Sequence, residues 1–209
     1  MNYCPTCAAP IQKQTPKGDN RLRNVCSDPK CASVHYENPR IVTGTVTTDE
    51  RGYILLCKRA IEPRYGYWTL PAGFMELAET MAEGALRETT EEAGAQAEIL
   101  GLYSVIDVPH AGQVHTFYRA KLLHPDFTPG EESLEAKLFA PADIPWDDIA
   151  FKTVSKTLRW FLADTEHNLA HNAAHGITSE AMQHSMHSKG VFPLRTSAVY
   201  YTAKPTIAP

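Results

Sequence analysis

The chain has 209 residues, 43% hydrophobic and 21% charged, the composition of a globular domain with room for an accessory module. A net charge of −4 excludes a general electrostatic attraction to nucleic acid or membrane. There is no apolar run of about 18 residues, and the opening MNYCPTCAAP lacks the basic and apolar regions of a signal peptide, so a cytoplasmic location is expected.

Residues 1–37 are short of large apolar side chains and cannot bury much core. They carry four of the five cysteines, as Cys4-Pro-Thr-Cys7 and Cys26-x4-Cys31, separated by 18 residues. In a reducing compartment two such pairs read as a Cys4 zinc ribbon, with structural Zn²⁺ replacing the missing core. The basic residues nearby, Lys13, Lys17, Arg21 and Arg23, alternate with polar ones and include no aromatic stacking platform, so nucleic acid is not an expected partner.

NPRIVTGTVTTDERGYILLCKRA then predicts a β-hairpin with DERG as its turn, and Cys57 as a buried residue of the return strand. YWTLPAGF predicts a further extended piece. GFMELAETMAEGALRETTEEAGA follows, residues 73–95, with six glutamates, one arginine and no lysine. Thr80 and Glu83 form a capping box and Gly94 stands where a C-terminal cap belongs, so a helix is predicted between them. Ala82, Ala85, Leu86, Thr89 and Ala93 give it a narrow face of mostly small residues. Glu88, Glu91 and Glu92 lie away from that face and within one turn of each other. Arg87 is spaced to brace Glu83 and Glu91 but cannot neutralise the cluster. Mg²⁺ or Mn²⁺ relieves such repulsion, because hard cations prefer carboxylate oxygens. AEILGLYSVIDV, VHTFYRAKLL and EAKLFAPADI predict strands and FKTVSKTLRWFLAD an amphipathic helix, which together suggest an α/β or α+β sandwich. From residue 166 the chain turns polar and His-rich. His167, His171 and His175, then His184 and His187, have spacing that a helix could offer to zinc or nickel, but a solvated tail is the expectation.

The acidic stretch matches G-x5-E-x7-R-E-U-x-E-E-x-G-U through Gly73, Glu79, Arg87, Glu88, Glu91, Glu92 and Gly94. This resembles the Nudix box, with Thr89 and Ala95 standing where larger apolar residues are common. The resemblance implies a mixed sheet between helices and hydrolysis of a nucleoside diphosphate linked to a group X. It implies metal ligation by Glu88 and Glu92, with Glu91 as further ligand or helper of the base, and a contribution from the Ala72 carbonyl. Glu79 and Arg87, with Gly73 and Gly94, would fix the loop. The base in this family often lies outside the box. Glu131, Glu132 and Glu135 are the candidates, and Glu135, just before the strand AKLFA, is the expected one.

The order of ribbon, hairpin and box resembles zinc-ribbon Nudix enzymes that cut FAD or ADP-ribose. Residues 1–37 would be the ribbon, 38–165 the hydrolase domain and 166–209 an extension. Zinc-ribbon NADH pyrophosphatases, with NAD-capped RNA as a larger substrate, are the alternative, but SVIDVPHAGQVHTFY lacks their signature after the box. A Nudix-like nucleotide sensor is the non-enzymatic alternative, and sensors usually lose box glutamates. Arg59 and Arg64 are expected to meet phosphate oxygens, and Tyr67, Trp68, Phe74 and Tyr103 are candidate ring contacts, each at least as well suited to a core and Trp68 in particular to a structural place in the strand before the box. A homodimer is implied by the resemblance.

Overall fold

The computed structural model describes residues 1–174 and 192–199. His175, His184 and His187 lie outside the described residues. The chain divides into two compact units, Met1–Pro39 and the remainder.

The first unit is a three-stranded antiparallel sheet of β1 (Ile11–Gln14), β2 (Arg23–Cys26) and β3 (Val34–His35), in that order. Between β1 and β2 the turn is tied by Asp19. Its carboxylate accepts the backbone N–H of Asn20 at 2.7 Å and the Arg23 Nε–H at 2.7 Å. Burial in this unit centres on Cys4, Val25 and Cys26, too few side chains for an apolar core.

The second unit is built on a mixed sheet. Its strands are β4 (Arg40–Thr48), β5 (Ile54–Arg59), β6 (Trp68–Thr69), β7 (Ala72–Phe74), β8 (Ala97–Val108), β9 (Gln113–Leu122), β10 (Ser133–Phe139) and β11 (Arg195–Ala198). The order is β10-β5-β4-β9-β8-β11, with β6 on β5 and β7 on β4. β4 and β9 run parallel, in register from Arg40 opposite Gln113 to Thr48 opposite Lys121. Helices α1 (Met81–Ala93) and α2 (Lys152–Ala174) cover the two faces. β4 shows why. Thr43 donates to the Met81 carbonyl and Thr45 pairs with Thr89, so the odd positions face α1. Val46 instead joins Ile54, Leu56, Tyr103, Phe117, Val154, Leu158 and Phe161 in the main core beneath α2, as the two-residue period of a strand requires. A smaller cluster of Leu55, Cys57, Ala93, Ala95 and Leu122 lies on the α1 side.

α1 begins and ends where the capping residues put it. Thr80 Oγ1 accepts the Glu83 N–H at 3.2 Å while a Glu83 carboxylate oxygen accepts the Thr80 N–H at 2.7 Å. Gly94 closes the helix at φ 63°, and a Cβ there would also meet the Thr128 carbonyl oxygen at 2.5 Å. The buried face is Gly84, Ala85, Thr89, Glu92 and Ala93, with Ala82 and Leu86 only partly covered. It is rotated from the face the spacing suggested, and the rotation buries Glu92.

α2 runs to Ala174 and so includes His167 and His171, beyond the amphipathic stretch that predicted it. Tyr103 is fully buried on β8. Its hydroxyl donates to Asp164 at 2.7 Å, and Asp164 is also bound by Arg195 of β11. Trp68 packs edge-on against Phe139. Both aromatics serve the core, not a ligand. Among the described residues, no helix is long and apolar enough to cross a membrane.

Candidate active site

The cleft of the second unit has a volume of about 1020 Å³. β7 and α1 supply its acidic side: Ala72, Gly73 and Phe74 with Arg87, Glu88, Glu91 and Glu92. Gly73 admits no side chain, because a Cβ there would lie 2.4 Å from the Glu88 carboxylate. The strand backbone and that carboxylate are therefore in direct contact.

Arg87 organises the charges. Its guanidinium holds Glu79 through two bonds, Nε–H to Oε2 at 3.0 Å and Nη2–H to Oε1 at 2.8 Å. Nη1 donates to Glu88 at 2.7 Å and to Glu91 at 2.9 Å, and Nη2 donates to the Phe74 carbonyl at 3.0 Å. One arginine thus ties the loop before α1 to its second and third turns. Glu91 is braced as its spacing predicted, whereas Glu83, the other expected partner, is spent in the capping box. The hydrogen bonds from Arg87 and from the Glu76 N–H hold the Glu79 carboxyl down at about 2.

Glu92 is the exception in the cluster. It is 7% exposed, and among the described residues its carboxylate has one hydrogen bond, from the Ala72 N–H to Oε2 at 3.2 Å. Burial, assisted by the charges of Glu88 and Glu132, pushes its pKa up to about 8. Burial also raises the pKa of Glu88, against the pull of Arg87. The donor set is three carboxylates, two of them sharing one arginine and the third buried at a cost that positive charge would remove. This fits a hard divalent cation. Among the described residues only the four ribbon cysteines converge as a ready ligand cluster, because Arg87 draws Glu88 and Glu91 to itself.

The remaining expected residues divide. Arg59 and Arg64 line the cleft, as does Phe74. Arg59 is steadied by its Nε–H bond to the Pro63 carbonyl at 2.9 Å and by the Phe151 ring 5.1 Å from its guanidinium. Tyr67 does not line the cleft, and the Arg64 guanidinium lies over its ring at 5.3 Å. Glu135 is also off the cleft. It pairs with Lys58 at 2.7 Å across β10 and β5, past a register shift between Ser133 and Glu135. Glu131 and Glu132 line the cleft, and the Ala60 N–H donates to the Glu132 carbonyl at 2.8 Å, fixing that residue beside the end of β5. Sequence reasoning missed His110, Gln113, His115, Phe151 and Thr153 on the wall. The alternation of Gln113, His115 and Phe117 in a strand was the available signal.

In the first unit, the sulfurs of Cys4, Cys7, Cys26 and Cys31 all lie within 4.8 Å of one another. Cys4 and Cys31 are 3.8 Å apart, and Cys7 and Cys26 are 3.4 Å apart. A tetrahedron with Zn–S bonds of about 2.3 Å has edges of about 3.8 Å, so the set suits zinc. Ala8 and Ala32, each directly after the second cysteine of its pair, share a left-handed backbone at φ 59° and 48°. The two loops thus turn alike despite their unequal lengths.

Comparison with known proteins agrees with this geometry. A family model described as NUDIX domain matches residues 38–161, and a zinc-ribbon model described as Nudix N-terminal matches residues 2–37. The crystal structure of a NUDIX hydrolase from Nitrosomonas europaea is 41% identical, with a TM-score of 0.77 over 95% of this chain and 100% of that one. An ADP-ribose pyrophosphatase of Methanocaldococcus jannaschii is 32% identical over 60% of this chain and 76% of its own length. An NAD-capped RNA hydrolase of Vibrio vulnificus is 27% identical over 69% of this chain, and the match spans 53% of that protein.

Proposed function

The chain belongs to the Nudix hydrolase family, and on that premise we propose that it hydrolyses the pyrophosphate bond of a nucleoside diphosphate linked to a group X, with FAD or ADP-ribose as substrate and AMP as a product. The observation that carries this reading is the acidic side of the cleft, where Glu88, Glu91 and Glu92 meet the Ala72–Phe74 strand under a cavity wide enough for a dinucleotide. Mg²⁺ or Mn²⁺, when bound, neutralises pyrophosphate charge and makes water more acidic. Glu88 and Glu92 would be the principal ligands, with Glu91 and the Ala72 carbonyl beside them. Arg59 and Arg64 would hold phosphate oxygens.

Glu132 is the better base. Its charge bears on both Glu88 and Glu92, and it stands on the cleft wall, where an attacking water could lose its proton to it. Glu135 would have to leave Lys58 and the far side of its strand to take that part. The ribbon would hold one structural Zn²⁺. The five free cysteines suit a reducing cytoplasm, and a homodimer completes the reading.

ADP-ribose is supported by the relative from Methanocaldococcus, which is named an ADP-ribose pyrophosphatase. Cleavage of NADH or of NAD-capped RNA is the second reading, and for NAD-capped RNA it is supported by the Vibrio relative. A panel of FAD, ADP-ribose and NADH under one metal condition separates them. FAD and ADP-ribose should show the higher kcat/KM, and a tenfold preference for NADH over both would overturn the substrate order.

A further inference from the structure

On the cleft wall formed by β9 and the first turn of α2, three polar side chains make a directed hydrogen-bond chain. His115 Nδ1 lies 3.0 Å from Thr153 Oγ1, and His115 Nε2 lies 2.9 Å from Gln113 Oε1. An amide oxygen only accepts, so Nε2 carries the proton. Burial lowers the His115 pKa to about 4, which keeps the ring neutral near pH 7. A neutral ring has one N–H, so Nδ1 accepts from the Thr153 hydroxyl. The chain therefore runs one way, from Thr153 to His115 to the oxygen of Gln113.

This polarity turns the oxygen of Gln113 toward His115 and leaves both N–H groups of its amide nitrogen to offer. Gln113 is half-buried and lines the cleft, and among the described residues no acceptor meets that nitrogen. Val42, Phe74, Phe151 and Val154 give the same cavity an apolar wall suited to a flat ring. In register, His115 stands opposite Val42 and Val42 opposite Phe74. Two strand spacings, roughly 10 Å, thus separate His115 from the strand that carries Gly73 and touches Glu88. That gap is of the order of a ribose and a phosphate.

We propose that Gln113, aligned by His115 and Thr153 as positioning residues, determines specificity in this cleft by donating its amide N–H groups to a carbonyl oxygen or ring nitrogen of a planar heterocycle. The inference deepens the pyrophosphohydrolase reading by naming the chemistry that recognises the ring-bearing end of the substrate. A site built to donate to an acceptor rejects ligands that lack one, because the buried donor is then left unpaired.

The test is calorimetric binding of AMP, GMP, UMP, FMN and ribose 5-phosphate with Mg²⁺ present. None of these has a pyrophosphate bond to cut. The wild type should bind at least one ring-bearing probe more tightly than ribose 5-phosphate. Gln113→Glu keeps the oxygen that His115 binds and loses the N–H donors. It should weaken that probe at least tenfold while ribose 5-phosphate affinity and thermal unfolding stay within twofold and a few degrees of the wild type. His115→Phe should weaken the same probe without changing ribose 5-phosphate. Absence of any ring preference in the wild type, or an equal loss for ring-bearing and ringless probes in Gln113→Glu, overturns the inference. If no dinucleotide is hydrolysed but the preference and its loss remain, the catalytic reading falls and this one stands. If hydrolysis is present and Gln113→Glu keeps the preference, this one falls alone.

Discussion

Glu92 concentrates the electrostatic conflict of the site in a single side chain. Its folded pKa of about 8 lies well above the usual carboxylate range, so between about pH 4.5 and 8 the folded metal-free protein holds a proton that the unfolded chain has lost. That contribution to stability is fully present below pH 4.5 and is lost as the pH rises through 8. Metal-free protein should therefore unfold at progressively lower urea concentration across this window. Glu92→Gln should flatten the trend and be the more stable protein at pH 8, while its turnover is lost. A steeper decline in the variant than in the wild type would contradict the burial of a lone carboxylate there. The base belongs to the same scale. Glu132→Gln should lower kcat by about 10²–10⁴, the usual range for general-base catalysis, whereas Glu135→Gln should change it less than threefold. The reverse ranking would return the role to Glu135. Residue types and spacing were enough to bring Glu88, Glu91 and Arg87 to one side of α1, because a helix fixes their relative angles. They were not enough to place Glu135, because a register shift at Ser133/Glu135 decides which side of the strand each residue takes.

At the scale of elements, α1 shows how a small-residue face meets a sheet. Thr89 replaces the larger apolar residue common at its position, and β4 answers it. Thr89 donates to the Ala85 carbonyl at 2.7 Å, Thr45 then donates to Thr89 at 2.7 Å, and Thr47 to Thr45 at 2.7 Å. Every hydroxyl in this fully buried ladder donates once. Thr89→Val should cost about 1–3 kcal/mol, since it strands the Thr45 hydroxyl. Adding Thr45→Val should recover part of that cost, and a double-mutant cycle in urea measures the coupling. Strict additivity would mean that the ladder contributes nothing. The capping box, Gly94 and the strand at residues 97–108 were all legible, since each rests on local chemistry or alternation. The burial of Glu92 was not. It depends on the helix rotating to bring Gly84 against Thr43, a contact between elements 41 residues apart.

For the whole molecule, two units rest on two different sources of stability. The first has four cysteines where a core would be, and the second has a continuous apolar cluster on each face of its sheet. Purified protein should carry about one zinc per chain that survives an EDTA wash sufficient to stop turnover. Cys7→Ser should abolish that zinc by metal analysis. A wild-type chain without zinc, with all four thiols freely reactive, would refute the ribbon. The central claim is metal-dependent scission of a nucleoside diphosphate-X, and it is tested most directly by product analysis. FAD and ADP-ribose should each yield AMP, with FMN and ribose 5-phosphate as the respective second products. Mg²⁺ or Mn²⁺ should be required, and Glu88→Gln should reduce the rate at least a hundredfold. The account is contradicted if neither substrate yields AMP, or if AMP forms at an undiminished rate in EDTA and in the variant.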